Sequence, residues 1–549
     1  MPKALVKPNG GRDPSTSARL SLLDWSRRWR QISLMGRAKR TRASSSSRSR
    51  ADQFLRRRRD DLISDLSDDL LLLILRRVDT RTALGAGSIS RRWARLPREL
   101  PALDFRVSDL LPPRHLKWLL LHLDISSKPA HVRLQYRSDT INLDIMPNIE
   151  RCKRRAMRTF NSSIERFLEG PRRRPGVVKR LSLEFFVTGN GCSLNRLIAE
   201  AIDAWGVEEL EAIAKPLYHN HKQQEAVHAF PSHGLCKEPR SSRLRTLKLG
   251  RCALPPLLHE YGALTMLVLR DIQSTPPAAY EAVFTSCPKL QTVHLILCSC
   301  RSADSGTLLP LVLRSLPCLE SLASLGLGAG SRVFFEHNSF PSLRQSNFTM
   351  RLGVELELEY VRQYFALPLK LELDMFLRWS PNITSLVVRF TGPDRWIVPS
   401  SSPLSYLPSL RRLLVADVPS SWDASWPRLF LEMAPSLEIL HINIASCWLN
   451  PGEEIPWQPS KLRQHLLKEL VVAGFEGAGR QIYLVNFVVG ACTALRRVAL
   501  YRKGHARGKG LWDWEMVTQP HSWTDEQKDY TVQQIMHGVS SSTAQLVFG

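Results

Sequence analysis

The chain has 549 residues, 43% hydrophobic and 23% charged. That balance supports a sizeable core and more than one structural unit, and it excludes a chain disordered throughout, a collagen-like chain and a mucin-like one. Of the net charge of +25, residues 1–60 carry +13 (17 Lys and Arg against Asp13, Asp24, Asp52 and Asp60), leaving +12 for the other 489.

The longest unbroken aliphatic run, Leu70 to Leu75, is too short to span a bilayer. The first residues lack the apolar core and small-residue cleavage site of a secretory signal. Ten cysteines, sparse and irregularly spaced, fit a reducing compartment. The expected location is the nucleus and/or the cytoplasm, with no membrane partner.

Residues 1–58 are rich in Arg and Ser and show no sustained hydrophobic period, so the segment reads as a basic disordered tail. The clusters Arg37, Lys39, Arg40, Arg42 and Arg56 to Arg59 read equally as a nuclear import signal or a solvated basic linker. They lack the interleaved aromatics of a nucleic-acid reader, and the acidic residues count against a transit peptide. Met35 begins a compact basic leader, which opens the expectation that residues 1–34 are an upstream extension.

Residues 59–105 carry the sharpest pattern. Asp68 and Asp69 suit the positive end of a helix dipole. Leu66, Leu70, Ile74 and Val78 recur every four residues, and Leu71 and Leu75 widen the stripe, predicting an amphipathic helix over about 68–77. Asp79 or Thr80 can cap a second short helix, weakened by Gly85 and Gly87. Ser90 can cap a third, carrying Arg91, Arg92 and Trp93, with Pro97 marking its end. A core this small needs a partner surface or a following domain.

The run from Asp61 to Leu75, followed by Ser90-Arg-Arg-Trp93 and Leu96-Pro97, resembles the F-box of plant F-box proteins. The resemblance implies that a Skp-type adaptor, and through it a cullin–RING ubiquitin ligase, is the partner. It places Leu66, Ser67, Asp69, Leu70, Leu71, Ile74, Leu75, Ile89, Ser90, Arg92 and Trp93 at that contact. One position departs from the family pattern: Ser67 stands where the family has Pro. Proline pre-organises a helix entry, whereas Ser can cap it, so reduced adaptor affinity is one expectation.

Residues 106–460 repeat the pattern apolar-x-x-apolar-x-apolar. Copies start at Val178, Val207, Leu244, Leu264, Leu290, Ile383, Leu410 and Leu437. Spacings of 26 and 27 residues fall in the range of leucine-rich repeats. Leads such as Cys287-Pro288, Ser380-Pro381, Leu407-Pro408 and Ala434-Pro435 suit a loop ending where a strand begins. The interval 319–383 does not parse. The expected fold class is α/β: a short three-helix F-box module followed by an irregular leucine-rich-repeat solenoid with a parallel sheet on its concave face. Strand positions facing outward, Arg245, Lys248, Arg270, His294, Arg389, Arg411, Arg412 and His441, are candidates for holding a protein target, although each taken singly reads first as an ordinary solvated residue.

Residues 461–549 continue with Leu467, Leu470 and Val472, a turn through Gly477 and Gly479, a helix over about 481–489, and a strand at Leu495, Val498 and Leu500. The stretches Leu467 to Phe475 and Ala494 to Val498 resemble the FBD-type domain at the C-terminus of many plant F-box proteins, and a closing cap for the solenoid is expected. The polar tail after Lys503 is expected to fray, although Trp512, Trp514 and Trp523 suggest packing.

His219, His221, His228, His233 and Cys236 share one insert. Their spacing fits no structural zinc pattern, and an exposed His-rich loop is expected. Cys298 and Cys300 read as buried positions in one strand. Sequons at Asn161, Asn347 and Asn382 lack a secretory context. No phosphate loop, dinucleotide fingerprint or nucleophile elbow occurs.

The expected function is that of a substrate-recognition subunit of an SCF-type (Skp–cullin–F-box) ubiquitin ligase, non-catalytic and without cofactor or metal. A repeat scaffold with a degenerate F-box and a nucleic-acid binder acting through its basic tail stand as alternatives.

Overall fold

The computed structural model describes residues 66–87, 89–127, 141–169, 175–188, 191–217, 227–272, 275–287, 289–298, 300–301, 308–309, 311–313, 316–327, 333–335, 340–351, 371–372, 381–391, 397–398, 407–420, 427–445, 463–519, 523–539 and 543–549. The basic tail, His219 and His221 lie outside them. The chain divides into two compact units, Met1–Leu71 and Leu72–Gly549.

In the first unit the described residues are 66–71. Ser67 opens helix α1 (Asp68–Leu75): its carbonyl accepts from Leu71 N–H at 3.0 Å and its hydroxyl from Leu70 N–H at 3.4 Å. The helix ends two residues earlier than its sequence pattern predicts. Helix α2 (Thr80–Ala86) is capped by Asp79, which accepts from Thr82 N–H at 2.8 Å. Helix α3 (Arg91–Arg95) is capped by Ser90, which accepts from Trp93 N–H at 3.3 Å. Both caps fall where the sequence places them, because each side chain satisfies a backbone donor that has no partner within its helix.

The second unit, which includes α2 and α3, is built on an open sheet of 14 strands whose neighbours all run parallel. In chain order the strands are β1 (Ala102–Arg106), β2 (Arg180–Phe186), β3 (Glu209–Lys215), β4 (Thr246–Gly250), β5 (Met266–Arg270), β6 (Thr292–Ile296), β7 (Ser321–Leu327), β8 (Gln345–Arg351), β9 (Ser385–Thr391), β10 (Arg412–Pro419), β11 (Ile439–Ala445), β12 (Glu469–Ala473) and β13 (Arg497–Tyr501). A hairpin of β14 (Gly504–Gly508) and β15 (Trp514–Thr518) follows, and β16 (Gln545–Phe548) pairs with β13 at the far edge of the sheet. Strand order therefore follows chain order, which is consistent with a repeat solenoid and is not a closed barrel.

The repeat leucines form two continuous ladders. Leu210, Leu247, Leu267 and Val293 stand in register, as do Leu386, Leu413, Leu440, Leu470 and Val498. All of these are 1% exposed or less. Each fully buried leucine contributes about 1.5–3 kcal/mol of burial.

The interval the sequence left unparsed supplies β7 and β8, which continue the same ladder. Ser346 occupies the rung between Leu322 and Leu386, and Ser324 the one between Leu295 and Phe348. Ser346, buried at its rung, breaks the apolar spacing while keeping the register.

Among helices, α4 (Pro113–Ser127) and α5 (Ile141–Leu168) link β1 to β2, α6 (Cys192–Asp203) links β2 to β3, and α7 (Pro277–Ser286) links β5 to β6. Then α8 (Arg428–Met433) precedes β11, α9 (Gly479–Ala491) precedes β13, and α10 (Asp525–Met536) precedes β16. The 28-residue α5 is not a repeat element. It buries Ile145, Ile149, Cys152, Ala156, Phe160 and Ile164 at helical spacing. No helix among the described residues is long and apolar enough to cross a membrane.

The described residues after Lys503 do not fray. Trp514 is buried on the sheet, and Trp523 packs against Phe548 and Phe475 and donates to the carbonyl of Gly549 at 3.2 Å. These aromatic contacts outweigh the polar composition around them.

Candidate functional site

The first candidate surface lies on the short helices. In α1, Leu71, Leu72 and Leu75 are buried, at 0, 9 and 3% exposed. Leu70, Leu73 and Ile74 recur at helical spacing on the other side and stay 47, 54 and 42% exposed. Ile89, which precedes the cap of α3, is 58% exposed. Leu66, Arg92 and Trp93 are half-buried, and Ser67, Asp69 and Ser90 are exposed.

Of the residues assigned to the adaptor contact, Leu70, Ile74 and Ile89 are thus accessible apolar side chains, whereas Leu71 and Leu75 are not on the surface. Leu73 is a further accessible apolar side chain of this row, one the sequence pattern missed: within an unbroken run of six aliphatics, no periodicity tells the two faces apart. Exposed apolar rows of this kind mark a surface that meets another molecule.

The second candidate surface is the outward face of the sheet. Here the structure corrects the sequence reading for four residues, because the β14–β15 hairpin folds back over β8 to β11. Arg389 on β9 pairs with Asp417 (2.6 Å) and donates to the carbonyl of Ala506 (3.1 Å). Arg412 pairs with Asp513 (2.7 Å) and stacks over the Trp514 ring at 4.6 Å. Its donated hydrogen bond holds the Asp513 carboxyl below the usual carboxylate range.

His441 accepts from Trp514 Nε1 at 2.8 Å through Nδ1, so Nε2 carries the proton and donates to Glu469 at 2.8 Å. That bond lowers the Glu469 carboxyl. His294 on β6 packs its ring 5.5 Å from Trp512, and burial, with a lesser push from Lys248, lowers its pKa to about 4. Asn347 on β8 donates to the carbonyl of Leu511 at 2.6 Å.

Beneath the hairpin, Val387, Leu414, Ala416, Ala506 and Trp514 form one buried apolar cluster. These four candidates are therefore engaged by the chain's own C-terminal arm and do not face solvent freely. Arg245, just before β4, and Arg270 on β5 remain exposed and Lys248 on β4 is half-buried, while exposed Arg411 pairs with Glu438 at 3.6 Å.

The His-rich insert also differs from its reading as an exposed loop. His228 is 5% exposed, lies edge-on between Phe185 and Phe230, and bonds Asn195 at 3.0 Å; burial lowers its pKa to about 4. Cys236 is buried beside the Tyr261 hydroxyl at 3.2 Å, and burial pushes its thiol up to about 11. Only His233 is exposed among the described members of the insert. Cys298 falls after β6 rather than within it, with its thiol on the Leu269 carbonyl at 3.3 Å. Among the described residues no cluster of three or more potential ligands could hold a metal ion.

Comparison with protein families matches the segment that carries the first surface. The family model described as F-box domain matches residues 63–102, which span α1, α2 and α3. The segment is an F-box domain. No curated protein matches the chain.

Proposed function

We propose that the chain is the substrate-recognition subunit of an SCF-type ubiquitin ligase: a receptor without catalytic groups of its own, acting in the nucleus and/or cytoplasm. The F-box match over 63–102, on helices that leave Leu70, Leu73 and Ile74 accessible, is the observation that carries this reading. F-box domains bind Skp-type adaptors in cullin–RING ligases, and an apolar row on a short helix is the kind of surface such a partner covers.

Ser67, the departure from the family pattern, supports a retained F-box rather than a degenerate one, because its hydroxyl takes up the capping role. The 14-strand ladder supports reading the body as leucine-rich repeats, and the β12–α9–β13 unit as FBD-like. The target would meet the part of the sheet face that the hairpin leaves open, near Lys248 and Arg270. Catalysis would be by proximity, raising the effective concentration of target lysines near the charged conjugating enzyme.

The test is co-purification of the full chain with a Skp-type adaptor, alongside a Leu70→Arg, Ile74→Arg double variant with unchanged far-UV circular dichroism. Binding by the chain and its loss in the variant is the expected result. Absence of binding by the chain, with recovery in Ser67→Pro, would convert the reading to a free-standing repeat scaffold.

A further inference from the structure

A groove of about 1170 Å³ opens between α4 and α5, and none of its lining residues belongs to the two surfaces described above. Its lining includes Arg114 and Trp118 from α4, and Arg151, Arg155, Arg158 and Arg166 from α5. No Asp or Glu is among the described residues that line it. Arg151 donates to Asn148 at 3.2 Å. The guanidinium groups of Arg114, Arg155, Arg158 and Arg166 have no carboxylate of the described residues within ion-pair distance.

The arginines of α5 are exposed along one face, opposite the apolar residues that anchor the helix. Packing therefore does not require them. Uncompensated like charge on one helix face costs stability through mutual repulsion, which a bound polyanion would relieve.

We propose that this groove is a binding site for an extended acidic peptide segment of a partner protein, with carboxylate or phosphate side chains. From Arg151 to Arg166 the row rises on the order of 22 Å, with steps of roughly 6, 4.5 and 12 Å between successive arginines. An extended peptide presents side chains on one side every ~7 Å, so about seven or eight residues would cover the row with alternate acids near successive arginines. Guanidinium groups suit such a ligand, since each can hold carboxylate or phosphate oxygens in a bidentate fork.

Two other polyanions fit less well. Single-stranded nucleic acid is held by stacking on several aromatics, and Trp118 is the only aromatic among the described lining residues. A lipid surface would need apolar side chains beside the charges. Of the exposed leucines of α4, Leu116 and Leu120 lie on the side opposite Arg114 and Trp118 by helical spacing, and only Leu121 lies on theirs, which is too little apolar surface to enter a bilayer. The proposal concerns neither the F-box nor the sheet face, and its test does not depend on ligase assembly.

The experiment measures fluorescence anisotropy of a labelled deca-glutamate peptide with the full chain at physiological salt, with a deca-serine peptide and oligo-dT of equal length as comparisons. Two variants remove equal charge: Arg151→Gln, Arg155→Gln, Arg158→Gln in the groove, and Arg56→Gln, Arg57→Gln, Arg58→Gln in the basic tail. The groove variant should raise the Kd for deca-glutamate about tenfold, and the tail variant less than about twofold.

A photo-crosslinking version of the peptide should label residues 148–166, a readout that does not rely on the folding of any variant. No saturable binding, a loss in the tail variant equal to that in the groove variant, tighter binding of oligo-dT through the same arginines, or crosslinks confined to other segments would each overturn the proposal.

Discussion

Trp514 donates its indole N–H to His441 Nδ1 at 2.8 Å, joining two residues 73 positions apart and holding the C-terminal hairpin on the face of the sheet. The same ring stacks under Arg412 and closes the apolar cluster over Val387 and Leu414. Four side chains that would otherwise be free on that face are thereby used within the chain.

Trp514→Ala should detach this arm. A buried tryptophan cut back to alanine costs about 3–5 kcal/mol, concentrated here on the hairpin. Limited proteolysis should then cut between residues 502 and 520 under conditions where the parent chain is stable. Resistance equal to the parent would show that the hairpin is held by other contacts.

The two faces of α1 should respond oppositely to substitution. Leu71→Ala removes a fully buried side chain and should cost about 2–5 kcal/mol in denaturant unfolding. Leu73→Arg, at an exposed position, should leave stability within about 0.5 kcal/mol while abolishing co-purification with the adaptor. Retained adaptor binding by Leu73→Arg would remove this row from the contact.

His228 and His294 are both buried, with pKa values lowered to about 4 by burial. In the unfolded chain they take up protons near pH 6.5, so between pH 6.5 and 4 the unfolded state binds more protons than the folded one. Stability is fully present above about pH 6.5 and falls on acidification through that window, by about 1.4 kcal/mol per pH unit for each group. Among the described residues His294 Nε2 has no hydrogen-bond partner. His294→Phe should therefore leave stability at pH 7 equal or higher and flatten the acid slope, as read by urea midpoints at pH 5 and 7. An unchanged slope would assign the acid sensitivity elsewhere.

Gly474, after β12, adopts φ +78°, and a Cβ there would overlap the carbonyl oxygen of Ile444 at the end of β11. Gly474→Ala should destabilise by more than about 1 kcal/mol, because it forces a left-handed residue and spreads two strands at once. A thermal midpoint within a degree of the parent would contradict this.

Local chemistry was legible from the amino-acid sequence. Asp79 and Ser90 announce their helices, because a capping side chain bonds a backbone N–H three residues away. The F-box residues stand in one short window, and the repeat leucines of β2 to β6 and β9 to β13 declare their rungs because each rung needs only three positions in a row of six.

Long-range matters were decided by the tertiary structure alone. Ser346 occupies a leucine's rung, since register is imposed by neighbouring strands rather than by the residue itself. The two sides of the Leu70–Leu75 run, alike in sequence, become a buried face and an exposed one. Arg389, Arg412, His441 and His294 pass from candidate target contacts to partners of an arm more than 70 residues downstream. The spacing of residues along a strand says which way a side chain points; what meets it there depends on where a distant segment of the chain folds back.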